Sequence, residues 1–375
     1  MSNQNYLPFT RPTIDEETIQ GVTEVLRSGW ITTGPMVDQF EKGLAQYLGG
    51  GRTLRAFLHA TGAMEEALVV AGIGPGDEVI VPAMTFAATA NVVERLGAKP
   101  VLVDVDLRSR SILLDQAAAA VTSRTRAIMP VHLNGLAADM DGLYTLAKKH
   151  QLRVVEDAAQ AIGTEYKGKK IGSFGDIVVF SFHANKNLTT IEGGAVSMTD
   201  ADEIRRLEIL RFHGITKFPD GTMDVSEPAS KHNMTDVAAR VGLGQLKHLD
   251  EFNRKRRALA YRYFELLADE QHVVLPAKGD AGHSWHMFTP LPLYKKFGID
   301  RNVFKQRMHA RGIGVGIHYQ ALNQFSYYKR IYPEGSFPNA ERIGSETVTL
   351  PLFPAMQMAD VDRVCDAIRS SLEEK

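Results

Sequence analysis

Residues 176–198 read DIVVFSFHANKNLTTIEGGAVSM, two apolar runs joined by a short polar loop that carries one lysine, Lys186. The run 176–182 has the length and the Val/Ile/Phe content of a strand and does not alternate with polar residues, so it is expected to be buried on both faces. Lys167, Lys169 and Lys170, by contrast, sit in polar, glycine-punctuated sequence and read as solvated charges. An ammonium just past a buried strand is costly unless it is paired or its pKa falls. The usual reasons to keep one there are an ion pair or a Schiff base.

The same kind of run recurs outward from this stretch: EVIVP (78–82), PVLVDV (100–105), RAIMPV (126–131), RVVE (153–156) and GAVSM (194–198). Helical patterns at 86–96 and 138–150 fall between them. Continuous apolar strands alternating with helices predict an α/β fold with a mainly parallel sheet covered on both faces. Upstream, Thr13-Ile14-Asp15-Glu16 fits a capping box that opens a helix, with Ile19, Val22 and Leu26 on one face. A second helix is marked by Val37, Phe40, Leu44 and Tyr47. Downstream, 236–268 reads as a long helix with Leu246, Leu249 and Phe252 spaced for contact. From about 270 the chain mixes strand-like runs with helices near 301–311 and 358–373, which predicts a smaller α/β unit. The division expected is a large domain over 1–250 and a smaller one over 251–375.

The chain has 375 residues, enough for a large core in two domains. Its 43 Lys+Arg against 44 Asp+Glu leave a net charge of −1, with no basic footprint for nucleic acid. Cys365 is the only cysteine, which rules out an internal disulfide and a cysteine-based zinc site. Met1–Thr10 has neither a basic n-region nor an apolar h-region, and no segment has the length to span a bilayer. A cytoplasmic protein with no membrane insertion is expected.

In open α/β sheets ligands bind beyond the carboxyl ends of the strands. Phe86, His132, Asp157 and Lys186 all fall at such ends, and a helix opening at Thr61-Gly62-Ala63 offers backbone N–H groups and a hydroxyl to a phosphate. Pyridoxal 5'-phosphate would use this whole set: a lysine for the Schiff base, an acid facing the pyridine nitrogen, an anion cradle and a ring-stacking aromatic. Singly, each residue has an ordinary reading. Thr61 starts a helix, Asp157 caps one, Phe86 is core, and Lys186 is an ion-pair partner. His132 and His183 are hydrogen-bonded structural histidines, and His283 and His286 lack the adjacent carboxylate that a metal site would need. Their joint occurrence in this order on one α/β pattern favours the cofactor.

At VVEDAAQAIGTEYKGKKIGSFGDIVVFSFHANKNLTTIEGGAV (154–196) the sequence resembles the DegT/StrS-type sugar-nucleotide aminotransferases, pyridoxal-phosphate enzymes of the aspartate-aminotransferase fold, fold type I. The resemblance extends to LPFTRP (7–12), SGWITTGP (28–35), GDEVIVPAMTFAATAN (76–91), MPVHLNG (129–135), RFHG (211–214), HNMTDVAARVGLGQL (232–246) and LPLFP (350–354). It implies that Lys186 is the Schiff-base lysine and the proton-transfer base. Asp157 would face the pyridine nitrogen, Gln160 the phenolate oxygen, and Phe86 would stack on the ring. Thr61, Gly62, Ala63 and Ser181 would hold the phosphate, joined by Asn233 from the neighbouring subunit of a homodimer with shared sites. Glutamate would donate the amino group, yielding 2-oxoglutarate, and a nucleotide-linked ketosugar would accept it. SGWITTGP and HSWHMF (283–288) are most similar to members that aminate a UDP-linked 4-ketopentose to 4-amino-4-deoxy-L-arabinose, a lipid A modification. Trp30, His183, His318 and Tyr319 are the expected substrate contacts, with Arg211 for a glutamate carboxylate.

The sequence departs from the family at GGGRTLRAFLHATGA (49–63), which reads as replacing the usual strand and Ser-rich approach to the phosphate loop. It puts Leu58 and His59 where small polar residues are common. HYQAL (318–322) lacks the proline common after His-Tyr. Three other readings have discriminating features. The related ketosugar 3-dehydratases carry histidine at the position where this chain has Lys186. An aminotransferase for a 4-keto-6-deoxyhexose would differ in sugar preference. A non-catalytic sensor on the same fold would be expected to carry an appended DNA-binding domain.

Overall fold

The computed structural model describes residues 6–269, 271–333 and 335–374. Seven strands build its main sheet: β1 (Thr53–Phe57), β2 (Glu78–Pro82), β3 (Lys99–Val103), β4 (Thr125–Ile128), β5 (Arg153–Asp157), β6 (Ile177–Ser181) and β7 (Gly194–Met198). Their spatial order is β3-β2-β4-β5-β6-β7-β1. Only β7 opposes its neighbours; the β2–β3, β2–β4, β4–β5 and β5–β6 pairings are parallel. The carboxyl ends of β1, β5 and β6 therefore share one edge of the sheet, and β7 begins there, with Gly194 opposite both Phe57 and Ser181.

Every residue of β2, β6 and β7 is buried, as the unbroken apolar runs require. One face of the sheet packs against α3 (Ala60–Val70) and α4 (Ala88–Arg95), through Met64, Leu68, Val92 and Val93. The other packs against α2 (Pro35–Leu48) and the helix Met140–His150, where Phe40, Leu44 and Leu143 meet Ile80, Val154 and Phe180. Each such side chain contributes about 1.5–3 kcal/mol on leaving water. A connector helix, Asp236–Leu266, spans two cores: Leu249 belongs to the second of these, while Leu259, Ala260 and Tyr263 pack with Phe288, Phe304, Val364 and Ile368. Residue 250 thus lies in mid-helix. Ala340 and Ile343, from beyond that point, join the α3 core instead.

Two expectations change. Residues 53–57 do form the strand that their sequence seemed to replace. Its arginines obscured it: Arg52 is buried, with its guanidinium donating to the carbonyls of Gly175, Asp176 and Ser197 at 2.7–2.8 Å. The first helix, α1 (Glu16–Ser28), is capped by Asp15, which accepts from Thr18 N at 2.8 Å, rather than by Thr13. It buries Thr18, Gly21 and Val25, while Ile19 and Leu26 stay 48% and 55% exposed. The small residues let α1 approach the connector closely, since a Cβ at Gly244 would lie 1.9 Å from Thr18 Oγ1. Among the described residues, no helix is long and apolar enough to cross a membrane.

Candidate active site

The shared strand edge opens into a cleft of about 320 Å³ lined by residues of β5, β6, α3, α4 and the loops that follow them. Lys186 lies on its wall. The loop is pinned on either side of it: Lys186 N donates to His183 O at 2.9 Å, and Thr190 N to Phe182 O at 2.9 Å. Buried Asn187 donates to Asn253 Oδ1 on the connector and to Ser284 O, at 2.8 and 3.0 Å. No group among the described residues pairs with the Lys186 ammonium. Burial pushes its pKa from 10.5 down to about 8, opposed by the charge of Asp157.

Asp157 closes β5 and is 4% exposed. Its Oδ2 accepts from Thr89 Oγ1 at 2.7 Å and its Oδ1 from Ala159 N at 3.1 Å, which fixes the carboxylate while leaving acceptor capacity. Thr89, in the first turn of α4, is itself within 2.8 Å of the Thr85 hydroxyl. Gln160 Oε1 accepts from Asn134 N at 2.7 Å, and its Nε2 donates to the Tyr319 hydroxyl at 2.9 Å. Burial and the Asp157 charge hold that phenol protonated. Phe86, 57% exposed, stands in the cleft wall with its ring 5.4 Å from that of Tyr319. It is not a core residue. His318 is bonded to Thr349 Oγ1 at 2.7 Å, and burial with the Lys186 charge lowers its pKa to about 4, so the ring is neutral. His183, Ser181 and Thr61 also line the cleft.

The cradle differs in detail from its expected form. Ala60, Thr61 and His59 face the cleft, whereas Gly62 and Ala63 lie behind it. The Gly62 N–H is taken by His59 Nδ1 at 2.9 Å. Glycine is needed there on the opposite side, because a Cβ would fall 2.6 Å from the His232 ring. The glycine pair at the start of β7 also answers to close approach: a Cβ at Gly194 would lie 2.6 Å from Ala60 N, where α3 starts.

Two expected substrate contacts, Arg211 and Trp30, are not brought to this cleft, and Asn233, expected to serve a partner's site, also lies outside it. Arg211 is committed elsewhere: its Nη1 donates to Glu41 at 2.6 Å and to Ala56 O at 2.9 Å, which ties α2 to β1. Trp30 is 60% exposed in the turn between α1 and α2, donating to Thr33 O. Asn233 bonds Thr33 Oγ1 beside β1. His132 is structural, its Nε2 facing Glu156 at 3.0 Å and its Nδ1 accepting from Ala138 N at 3.1 Å. His283 and His286 are buried against Asn134 O and Asn187, and no metal-holding cluster occurs among the described residues. Thr89, Asn187 and His59 are functional candidates that sequence reasoning missed. For Thr89 the usable signal was its position in the first turn after β2.

The donor set fits pyridoxal phosphate: an unpaired, depressed-pKa amine, a fixed carboxylate, an exposed aromatic and a helix N-terminus all face one cleft. A family model described as the DegT/DnrJ/EryC1/StrS aminotransferase family matches residues 12–369. Solved structures similar to this one include a putative sugar aminotransferase, Spr1654 of Streptococcus pneumoniae, in its PMP-form (32% identity, 98% of each chain covered, TM-score 0.92). Others are S. venezuelae DesV (34% identity, 99% of each chain, TM-score 0.90) and Helicobacter pylori PseC, an aminotransferase involved in pseudoaminic acid biosynthesis (27%, 99% of this chain and 100% of that one, TM-score 0.92). Spr1654 is also known in a PLP-form. The likeness extends over nearly the whole chain, and the chain belongs to the DegT/DnrJ/EryC1/StrS family of pyridoxal-phosphate-dependent aminotransferases.

Proposed function

We propose that this enzyme moves the amino group of glutamate to C4 of a UDP-linked 4-ketopentose, forming UDP-4-amino-4-deoxy-L-arabinose in a two-stage cycle. Bound pyridoxal phosphate supplies the electron sink that weakens the substrate C–H bond. Lys186 Nζ, with a pKa near 8, removes and returns the proton at the substrate carbon. Asp157, oriented by Thr89 and Ala159 N, holds a proton on the pyridine nitrogen. Thr61 and Ser181 hold the phosphate, while Gln160 fixes Tyr319 against Phe86.

The observation that carries the sugar assignment is the crowding of Phe86, His183, His318 and Tyr319 around a cleft of about 320 Å³. A pentose lacks the exocyclic carbon that a hexose would have to fit among them. The resemblance at SGWITTGP and HSWHMF favours the same sugar. A 4-keto-6-deoxyhexose is the second reading; one similar solved structure is an aminotransferase involved in the biosynthesis of another sugar, pseudoaminic acid. Packing around one small group typically shifts kcat/KM by about 10–200-fold. The test compares kcat/KM for the UDP-4-ketopentose with that for UDP-linked 4-keto-6-deoxy-N-acetylhexosamines; preference for an acetamido hexose would replace the first reading with the second.

We also propose a homodimer with shared sites. Glutamate and a UDP-sugar bring two carboxylates and a diphosphate, yet among the described residues Lys186 is the only lysine or arginine lining the cleft. The uncovered apolar side chains of α1 and its following turn, Ile19, Leu26, Trp30 and Ile31, offer a surface for a second copy. Asn233 would reach the partner's phosphate from there. Both substrates are cytoplasmic metabolites, so we read the enzyme as cytoplasmic.

A further inference from the structure

We propose that His59 is a ligand of the cofactor phosphate, donating from Nε2 while its Nδ1 caps α3. The inference rests on the cofactor reading and is independent of the sugar. It begins from hydrogen-bond bookkeeping at one ring. Gly62 N donates to His59 Nδ1 at 2.9 Å, so that nitrogen is an acceptor and carries no proton. The neutral tautomer with its proton on Nε2 is therefore the one the helix selects. Nε2 has no partner among the described residues, and the ring lines the same cleft as Lys186 and Asp157. An N–H donor is thus preset beside Ala60 and Thr61, where the first turn of an 11-residue helix already favours an anion.

The ring is held from behind as well. His232 packs edge-on, with centroids 5.3 Å apart, and its own position depends on Gly62 having no side chain. Leu58 N donates to His232 O, which fixes the strand leading into the cap. A serine or asparagine at position 59 could cap the helix equally well. The serine hydroxyl and the asparagine amide N–H2 both lie closer to the backbone than a histidine Nε2 does, so the distinctive contribution of histidine is a donor that reaches farther out.

The test separates the two nitrogens. His59→Asn keeps a capping acceptor and removes the Nε2 donor, its own amide N–H2 lying on a shorter side chain. Equilibrium binding of pyridoxamine phosphate, which needs no covalent bond to Lys186, is measured by calorimetry alongside phosphate-free pyridoxamine, read by competition. The variant should bind pyridoxamine phosphate about 10-fold or more weakly, the loss of one hydrogen bond to a charged group, with pyridoxamine unchanged. In the wild-type apoprotein, ¹⁵N NMR should find Nδ1 bare and Nε2 protonated, and pyridoxamine phosphate should shift the Nε2–H signal. Unchanged affinity for pyridoxamine phosphate, equal weakening of both ligands, or a protonated Nδ1 would each overturn the assignment. Failure of the wild type to bind pyridoxamine phosphate at all would instead remove the cofactor reading, and this inference with it.

Discussion

The depressed pKa of Lys186 has a direct kinetic consequence. An ordinary lysine titrates at 10.5, whereas burial brings this one to about 8. At pH 7 the free-base fraction is then roughly one-tenth, against about 0.03% for an ordinary lysine, a gain of roughly 300-fold that corresponds to about 3 kcal/mol. The sign follows from desolvation: the cleft disfavours the ammonium, and the Asp157 charge offsets only part of that cost. Stopped-flow capture of pyridoxal phosphate by apoprotein, followed across a pH series, reads that free-base fraction directly. Capture should rise tenfold per unit up to about pH 8 and then level off. Asp157→Asn removes the opposing charge, so its midpoint should fall below that of the wild type. A wild-type rate still climbing tenfold per unit between pH 9 and 10 would refute the reasoning, as would a variant midpoint above 8.

Asp157→Asn should also slow both half-reactions by orders of magnitude in single-turnover measurements while leaving the circular dichroism unchanged; near-normal turnover would remove its role. Glu66, buried two turns into α3, has its pKa raised from 4.5 to about 7, chiefly by burial. The folded state then binds more protons than the unfolded one across that window, so Glu66 lowers stability as pH rises from 4.5 to 7. Glu66→Gln should therefore gain up to about 3 kcal/mol relative to wild type between pH 4.5 and 7.5 in urea unfolding, and equal pH dependence of the two proteins would contradict this. Leu26→Asp should weaken self-association in sedimentation by putting a charge on the uncovered α1 face. Mixing Lys186→Ala with an Asn233 variant should restore activity through heterodimers with one intact site; a fully active monomer would end the shared-site reading.

The strands were legible because β2 and β6 are buried on both faces and hence apolar throughout. β1 was hidden because Arg52 and Arg55 lie in or beside it. Their charges are satisfied by distant carbonyls and by Glu208 and Glu41, partners that no local pattern reveals. The face of α1 was misread for the opposite reason: close helix contact selects small residues, so the large apolar ones point away. Within the cleft, Lys186 and Asp157 could be read because each ends or follows a strand, and Gln160 through the family resemblance. Thr89, Asn187 and His59 act through hydrogen bonds to specific oxygens and N–H groups, which depend on three-dimensional placement. Arg211 illustrates the converse, since a conspicuous arginine in the sequence lies outside the cleft, paired with Glu41.

Transamination by this fold requires one lysine, Lys186, to carry the cofactor and the proton transfers. Loading the protein with pyridoxal phosphate, reducing with borohydride and mapping the labelled peptide by mass spectrometry identifies that lysine. A pyridoxyl group should appear on Lys186 alone and be lost when glutamate is added before reduction, because the amino group has passed to the cofactor. Label on Lys167, Lys169, Lys170 or any other lysine, or label on Lys186 that survives saturating glutamate, would contradict that requirement.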